Sequence, residues 1–176
     1  MFRAMGWNED QVAVLDGGFP HFAEQYPNQV DNTSLESIPK ETTNDDLLSL
    51  FKERPELIRS LPQIEKNLEE QEEIVVDARP KDRFDGIAPE PRKGIPSGHM
   101  PKSVSIPWTE VLENGQLRDS DHIEQLFSYN SIDIKKPGKN LIFSCGSGVS
   151  AAVLNLAAYA AGSFDTLTFE CSYLTI

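Results

Sequence analysis

One of the two cysteines of the chain lies in a setting that can activate a thiol. Cys145 directly follows an apolar run and is followed closely by Gly146 and Gly148, in the sequence NLIFSCGSGVSAAVL. Glycines leave backbone N–H groups open to an anion, and a helix that begins just after them adds partial positive charge. Such a loop stabilises a thiolate and lowers the pKa of a cysteine. The pattern therefore favours a nucleophilic Cys145 over a buried packing residue, the common alternative for a free cysteine.

Two other cysteine chemistries fit the sequence poorly. A zinc site is disfavoured because Cys145 has no CxxC partner and because His21, His99 and His122 show no ligand spacing. A cysteine phosphatase needs an arginine about six residues after the cysteine to clamp the phosphate with two hydrogen bonds. Alanine occupies that position, residue 151. We therefore expect neither a metal site nor phosphate chemistry.

The elements around Cys145 predict an α/β fold. Leu141–Ser144 and Ile74–Ala78 read as buried strands, and Ser103–Ile106 as a short one. Helices are expected over Pro62–Gln71 and over Val149–Ala161. A third helix is expected to begin at a cap on Asp119 or Ser120 and to carry Ile123, Leu126 and Phe127 on one apolar face. Alternating strands and helices indicate a central, mainly parallel sheet flanked by helices, which binds ligands at the carboxyl ends of its strands. Cys145 follows one of those ends.

The N-terminal part of the chain has too few elements for a core of its own. Phe2–Trp7 reads as the end of a helix, Gln11–Leu15 as a short buried strand, and Asp16–Pro20 as a sharp turn. Tyr26–Thr43 has the composition of a linker, and a helix capped by Thr43 or Asn44 is expected through DDLLSLFKERPEL. The segment before the linker is therefore expected to be the tail of another domain.

Composition sets limits on the partners and the compartment. The 176-residue chain carries a formal net charge of −12, which argues against a nucleic-acid-binding surface. Two cysteines cannot form a secreted disulfide framework and indicate a reducing compartment. No apolar run reaches the roughly 18 residues of a membrane span, and Met1–Gly6 lack the pattern of a signal peptide. We expect a soluble protein of the cytoplasm or the mitochondrion that binds neither nucleic acid nor membrane.

Three blocks of the sequence resemble the tandem rhodanese-domain sulfurtransferases, in particular the members that use 3-mercaptopyruvate. The blocks together cover nearly all of residues 2–162, and they are CGSGVSA (145–151), VVDARPKDRFDGIAPEPRKGIPSGHMPKSVSIPW (75–108) and FRAMGWNEDQVAVLDGGFPHF (2–22). The resemblance implies a remnant of a first rhodanese domain at 1–26, an interdomain linker with a helix at 27–60, and a second, catalytic rhodanese domain at 61–176.

The end of the chain departs from the family pattern. The second domain should repeat the helix, strand and turn that end the first-domain remnant. Compared with that remnant, the second domain is expected to be truncated or divergent after about residue 162. The segment FDTLTF (164–169) can still form the next strand, but no DG–W turn follows it. Cys171 lies in this tail and is interpreted as incidental rather than as a resolving thiol.

The resemblance implies sulfur transfer through a persulfide on Cys145. 3-Mercaptopyruvate would supply the sulfur and leave as pyruvate, a thiol such as a thioredoxin would accept it, and no cofactor is needed. The uncharged Gly146 and Ser147 favour this donor over thiosulfate, because thiosulfate sulfurtransferases of the same fold carry cationic residues there. A thiosulfate sulfurtransferase, and a non-catalytic rhodanese module or sulfur relay, remain the alternatives.

The same resemblance assigns a substrate site beside the cysteine. Arg83 and Arg92 would hold the carboxylate and keto oxygens, and the loop residues Gly146, Ser147, Gly148 and Val149 would contact the substrate. Each arginine has the alternative of an ion pair with a nearby acid such as Asp85 or Glu90, and Ser147 that of a simple helix-entry hydroxyl. Two further polar residues are expected to be structural, Asp77 as a carboxylate that orders a loop and His99 as a hydrogen-bonding histidine.

Overall fold

The described residues of this computed structural model are 3–31, 52, 54–136, 138, 140–163 and the backbone of 166–169. The chain divides into two compact units, one of Met1–Arg54 with Asn114–Gln116, and one of Pro55–Glu113 with Leu117–Ile176. The predicted linker and helix within residues 32–51 lie outside the described residues. The assignments of 1–26, 27–60 and 61–176 as remnant, linker and catalytic domain stay predictions.

The described N-terminal residues of the first unit, 3–31, form turns and short helices. A turn covers residues 3–6, a 3-10 helix spans Glu9–Gln11, helix α1 spans Gly18–Gln25, and a second 3-10 helix spans Pro27–Gln29. The prediction of a helix end at Phe2–Trp7 is wrong for the described residues 3–7, and so is the prediction of a buried strand at Gln11–Leu15. Val14 is 66% exposed and Leu15 57%. A strand needs a hydrogen-bonded neighbour, and the described part of this unit provides none for this segment.

A five-stranded parallel sheet forms the centre of the second unit. Its strand order is β1-β7-β6-β2-β3, with β1 at Ile58–Arg59, β2 at Ile74–Asp77, β3 at Val104–Ser105, β6 at Leu141–Ser144 and β7 at Thr166–Phe169. A separate two-stranded hairpin consists of β4 (Leu112–Glu113) and β5 (Gln116–Leu117). The three predicted strands β2, β3 and β6 are confirmed, and the strand expected within FDTLTF is confirmed as β7.

Four helices accompany this sheet among the described residues of the second unit. They are α2 (Leu61–Glu70), α3 (Lys81–Phe84), α4 (Ser120–Tyr129) and α5 (Val149–Ala160). The predicted cap of α4 is confirmed, because Asp119 accepts the His122 N–H at the start of this helix. Ser60 and Gln63 form a capping box at the start of α2. Pro55–Leu57, predicted as the end of a longer helix, instead form a 3-10 helix that leads into β1. None of the described helices combines the length and apolarity needed to cross a membrane.

The sheet is covered on both faces, which explains why its strands are apolar without alternation. On one face Val76 and Phe143 join the larger core cluster with Phe127 of α4 and Leu154 of α5. Phe127 meets the edge of the Phe143 ring at a centroid distance of 6.2 Å. On the other face a smaller cluster consists of Ile64, Val75, Met100 and Ile142. This packing fixes β2 and β6 side by side and so fixes the loops that follow them.

Candidate active site

The loop after β6 carries the predicted nucleophile. β6 pairs with β2 so that Ser144 lies opposite Asp77 at the last register position, and Cys145 follows immediately. Gly148 is the N-cap of α5, with a left-handed φ of 83° that favours glycine. The four residues Cys145–Gly148 turn the chain from β6 into α5. The loop therefore lies at the carboxyl edge of the parallel sheet, as predicted from the sequence.

The Cys145 sulfur is held by hydrogen-bond donors from the loop and from the start of α5. Its Sγ accepts the Gly148 N–H at 3.0 Å and the Ser147 N–H at 3.5 Å. Burial raises the pKa of the thiol, since Cys145 is only 1% exposed. Hydrogen bonds outweigh burial and hold this pKa below its ordinary value; they come from the Ser150 hydroxyl and then from backbone N–H groups at Ser147, Ala151 and Gly148. Cys145 thus packs in the core and also has the surroundings of a thiolate.

Arg83 reaches the same loop from the neighbouring strand. It lies on α3, the single turn of helix that follows β2. A Cβ added at Gly146 would lie 3.2 Å from the Arg83 Nη2 atom, closer than most side chains tolerate. Glycine at position 146 therefore leaves room for a guanidinium beside the residue that follows the nucleophile. The short distance between Arg83 and Gly146 agrees with the prediction that Arg83 and the Cys145 loop share a site. The role of Arg83 in holding the substrate stays a prediction.

A carboxylate holds Arg83 in this position. Glu90 Oε1 accepts the Arg83 Nε–H at 3.2 Å, and Glu90 Oε2 accepts an N–H of Arg83 Nη2. The ion pair considered for Arg83 from the sequence is therefore present. It lies at the loop rather than on the open surface, because the Glu90 side chain is only 2% exposed. Burial raises the pKa of Glu90, but hydrogen bonding and charge from Arg83, with the charge of Arg79, hold this pKa below its ordinary value.

Arg79 and Asp77 form the buried base of this network. The Arg79 guanidinium, 1% exposed, donates to both carboxylate oxygens of Asp77, to Glu90 Oε1 at 2.8 Å, and to the Gly98 carbonyl at 2.7 Å. The Asp77 carboxylate also accepts the Arg79 backbone N–H at 2.9 Å. A loop-ordering role for Asp77, as predicted, matches these contacts. The charges alternate from Asp77 through Arg79 and Glu90 to Arg83.

The remaining predicted residues are exposed. Ser147 and Arg92 lie at the surface, and Val149 is 71% exposed. Within the part of the chain that the structure describes, no hydrogen bond or ion pair joins Arg92 to another residue. The structure therefore brings Arg83, Gly146 and Gly148 into polar or close contact around Cys145, and it leaves Arg92 open to solvent. His99 stacks on Phe84 with centroids 3.8 Å apart, and its Nδ1 lies 2.8 Å from the Phe84 carbonyl oxygen, as expected for a structural histidine.

Three residues of the site were missed or undervalued from the sequence. Ser150 received no role from the sequence, although hydrogen bonding from its hydroxyl lowers the pKa of Cys145. Glu90 was considered only as an acid that might divert an arginine, and Arg79 received no role. A local signal for Glu90 existed, since an acid between arginines in a loop rich in proline is positioned to pair with them.

Among the described residues no group of three or more His, Cys, Asp or Glu could hold a metal ion.

Comparison with known proteins gives the family. A family model described as a rhodanese-like domain matches residues 60–173. The chain belongs to the rhodanese family. Among curated relatives, this rhodanese chain is 37% identical over 175 residues to 3-mercaptopyruvate sulfurtransferase of Mus musculus, covering 99% of the chain and 54% of the relative. It is 35% identical over 187 residues to thiosulfate/3-mercaptopyruvate sulfurtransferase 2 of Arabidopsis thaliana, covering 98% of the chain and 53% of the relative.

A solved rhodanese structure has the same arrangement of elements. SseA from Escherichia coli, described as showing the rhodanese fold and catalytic mechanism of 3-mercaptopyruvate sulfotransferases, superposes with a TM-score of 0.75 at 26% identity. The match covers 98% of this chain and 59% of SseA. The chain thus spans a little over half the length of the relatives it matches. The α/β class with a parallel sheet flanked by helices is confirmed.

Proposed function

We propose that this rhodanese chain transfers sulfur from 3-mercaptopyruvate to a thiol acceptor through a persulfide on Cys145. One observation carries the proposal: the Cys145 sulfur accepts two backbone N–H groups, 3.0 Å and 3.5 Å away, at the carboxyl edge of a parallel sheet. A thiolate held in this way attacks sulfur without a metal or a general base beside it. The curated relatives named for 3-mercaptopyruvate favour that donor.

The proposed first step moves one sulfur atom and one electron pair. The Cys145 thiolate attacks the sulfur of mercaptopyruvate, and a new S–S bond forms while the C–S bond breaks. The electron pair of the broken bond passes into the enolate of pyruvate. The proton of the substrate thiol ends on the methyl carbon, so the products are pyruvate and the Cys145 persulfide anion. The backbone donors at Ser147 and Gly148 stabilise negative charge on sulfur before and after the step.

In the second step a thiol acceptor removes the sulfur. Its thiolate attacks the outer sulfur of the persulfide and regenerates the Cys145 thiolate, so neither step needs a cofactor. A small protein thiol of the thioredoxin kind is the proposed acceptor, and a reducing cytoplasm or mitochondrion is the proposed compartment.

Arg83 is proposed to meet the substrate oxygens. Its Nη2 atom lies beside Gly146, next to the nucleophile, so a carboxylate or enolate oxygen bound there would stand close to the reacting sulfur. Arg92 is proposed as the second cation, because its exposed guanidinium has no ion pair within the described residues and is available to an anion. Ser147, Gly148 and Val149 are proposed to line the entrance to the sulfur.

The test is pyruvate release from mercaptopyruvate in the presence of an added thiol. The wild-type chain should release pyruvate and Cys145→Ser should not, because a serine hydroxyl cannot form a persulfide. Cys171→Ser is the matched control, since it removes the only other thiol and should release pyruvate as the wild type does. Equal rates for wild type and Cys145→Ser would remove Cys145 from the mechanism. A folded wild-type chain that takes up no sulfur would favour the alternative of a binding module.

A further inference from the structure

Glu90 is a buried carboxylate that forms ion pairs with two guanidinium groups, those of Arg79 and Arg83. Its Oε1 atom accepts hydrogen bonds from Arg79 at 2.8 Å and from Arg83 Nε at 3.2 Å, and its Oε2 atom bonds Arg83 Nη2. The carboxylate also approaches the loop of the nucleophile, because Oε2 would lie 3.9 Å from a Cβ placed at Gly146. The negative charge of Glu90 therefore lies close to the loop beside which a ligand of Cys145 would bind, although the carboxylate itself is buried.

The network leaves little uncompensated charge at this position. Arg79 is matched by Asp77, and Arg83 is matched by Glu90, with all four groups joined by hydrogen bonds. Arg83 consequently reaches the loop as one half of an ion pair and not as an isolated cation. A ligand with one negative charge can bind there through the N–H groups of Arg83 that Glu90 leaves unused. A second negative charge would meet the Glu90 carboxylate across a short, poorly hydrated distance.

The geometry of the pair also limits how Arg83 can hold an anion. Glu90 occupies the Nε and Nη2 edge of the guanidinium, one of the edges through which an arginine can bind a planar oxyanion with two parallel hydrogen bonds. Among the described residues, Nη1 of Arg83 has no hydrogen bond. An incoming oxyanion therefore meets a guanidinium with one edge already occupied, and only Nη1 and the second N–H of Nη2 remain to bind it.

We propose that Glu90 is a specificity-determining residue that makes the site prefer singly charged sulfur donors over doubly charged ones. The inference rests on the proposed function, since it concerns which donor delivers sulfur to Cys145. Thiosulfate delivers sulfur by a related step, in which the Cys145 thiolate takes the outer sulfur, the S–S bond of thiosulfate breaks, and sulfite leaves with the electron pair. Both donors end in the same persulfide anion, so one assay compares them.

The test measures the rate of sulfur gain on Cys145 from each donor, for wild type and for Glu90→Gln. The glutamine keeps the size and one acceptor oxygen but removes the charge. The ratio of the thiosulfate rate to the mercaptopyruvate rate should rise about tenfold, which is about 1.4 kcal/mol. Glu69→Gln is the matched control, because Glu69 is an exposed residue of α2 and its replacement also removes one negative charge. Its donor ratio should equal that of the wild type.

A second variant separates charge from position. Glu90→Asp keeps the charge but shortens the side chain, so both rates should fall while their ratio stays within about twofold, since position affects both donors alike. An unchanged ratio in a folded Glu90→Gln chain, or an equal rise in Glu69→Gln, would overturn the proposal. If Glu90→Gln does not fold, competition on the wild type decides: pyruvate should slow sulfur gain at lower concentrations than sulfate does, and the opposite order would overturn it.

The failure of this inference can be told from failure of the proposed function. A wild-type chain that gains no sulfur on Cys145 from either donor contradicts sulfur transfer itself, whatever Glu90 does. A wild-type chain that gains sulfur, with variants that leave the donor ratio unchanged, contradicts only the role of Glu90.

Discussion

Ser150→Ala tests how the loop activates the cysteine. Hydrogen bonding from the Ser150 hydroxyl lowers the pKa of Cys145, together with the backbone donors of the loop. Its removal should raise that pKa. A hydrogen bond to a charged group contributes about 1.5–3 kcal/mol, and the lower value corresponds to roughly a tenfold smaller thiolate fraction at acidic pH. Ser150 lies in the first turn of α5, where alanine is also a good helix former, so the fold should be kept.

The effect on reaction rate should change sign with pH. A thiolate of higher pKa is a better nucleophile, with a Brønsted coefficient of about 0.4–0.5. For a pKa rise of about one unit, each thiolate of the variant should therefore react about threefold faster, which offsets part of the tenfold loss in thiolate fraction. At pH values below both pKa values the variant should therefore react about threefold more slowly with iodoacetamide. Above both pKa values, where each thiol is ionised, the variant should react about threefold faster. The two pH–rate curves should cross.

The assay follows alkylation of the Cys145 peptide by mass spectrometry across a pH series. Cys171 is followed in the same digest as an internal reference, and its profile should be the same in every variant. Ser150→Thr is the matched control because it keeps a hydroxyl at this position, and its curve should follow the wild type. A Ser150→Ala curve that superposes on the wild type, or that is scaled by one factor at all pH values, would refute this account of the thiolate.

Three further predictions concern stability, each checked by denaturant or thermal unfolding. Gly148→Ala should lower the free energy of unfolding by about 1–2 kcal/mol, because φ is 83° there. Glu73→Gln should lower the free energy of unfolding by about 1 kcal/mol at neutral pH, because it weakens the ion pair with Arg59. Hydrogen bonding to Arg59 lowers the pKa of Glu73 in the folded chain. The contribution of the pair is therefore fully present above about pH 4.3, the pKa of a free Glu, and is lost as the pH falls through the lower pKa of the folded state. Phe127→Ala, fully buried against Phe143, should cost about 3–5 kcal/mol.

The elements around the nucleophile were predictable because their signals are local. Leu141–Ser144 is a short apolar run bounded by polar residues, and it forms β6 with those bounds. Asp119 caps α4 by accepting the N–H of His122, which is only three positions away in the sequence. Glycines after Cys145 indicated a turn that opens a helix, and the structure has that turn. Each of these features is decided by residues within a few positions of one another.

Features that depend on distant partners were not predictable in the same way. Gln11–Leu15 has the composition of a strand, but composition cannot supply a neighbouring strand; Gln11 ends a 3-10 helix and residues 12–15 are irregular. Glu90 meets Arg79 and Arg83, which lie 11 and 7 positions earlier in the sequence, and these two spacings follow no helix or strand period. β7 lies between β1 and β6, so its place in the sheet depends on a strand more than a hundred residues earlier.

The most direct test of sulfur transfer is the mass of the Cys145 peptide after the folded chain is incubated with mercaptopyruvate. We expect a gain of one sulfur, about 32 mass units, that disappears when a thiol is added. Cys145→Ser should show no gain on the corresponding peptide. A folded wild-type chain without that gain, or a gain that persists in Cys145→Ser, would contradict the claim that Cys145 carries the transferred sulfur.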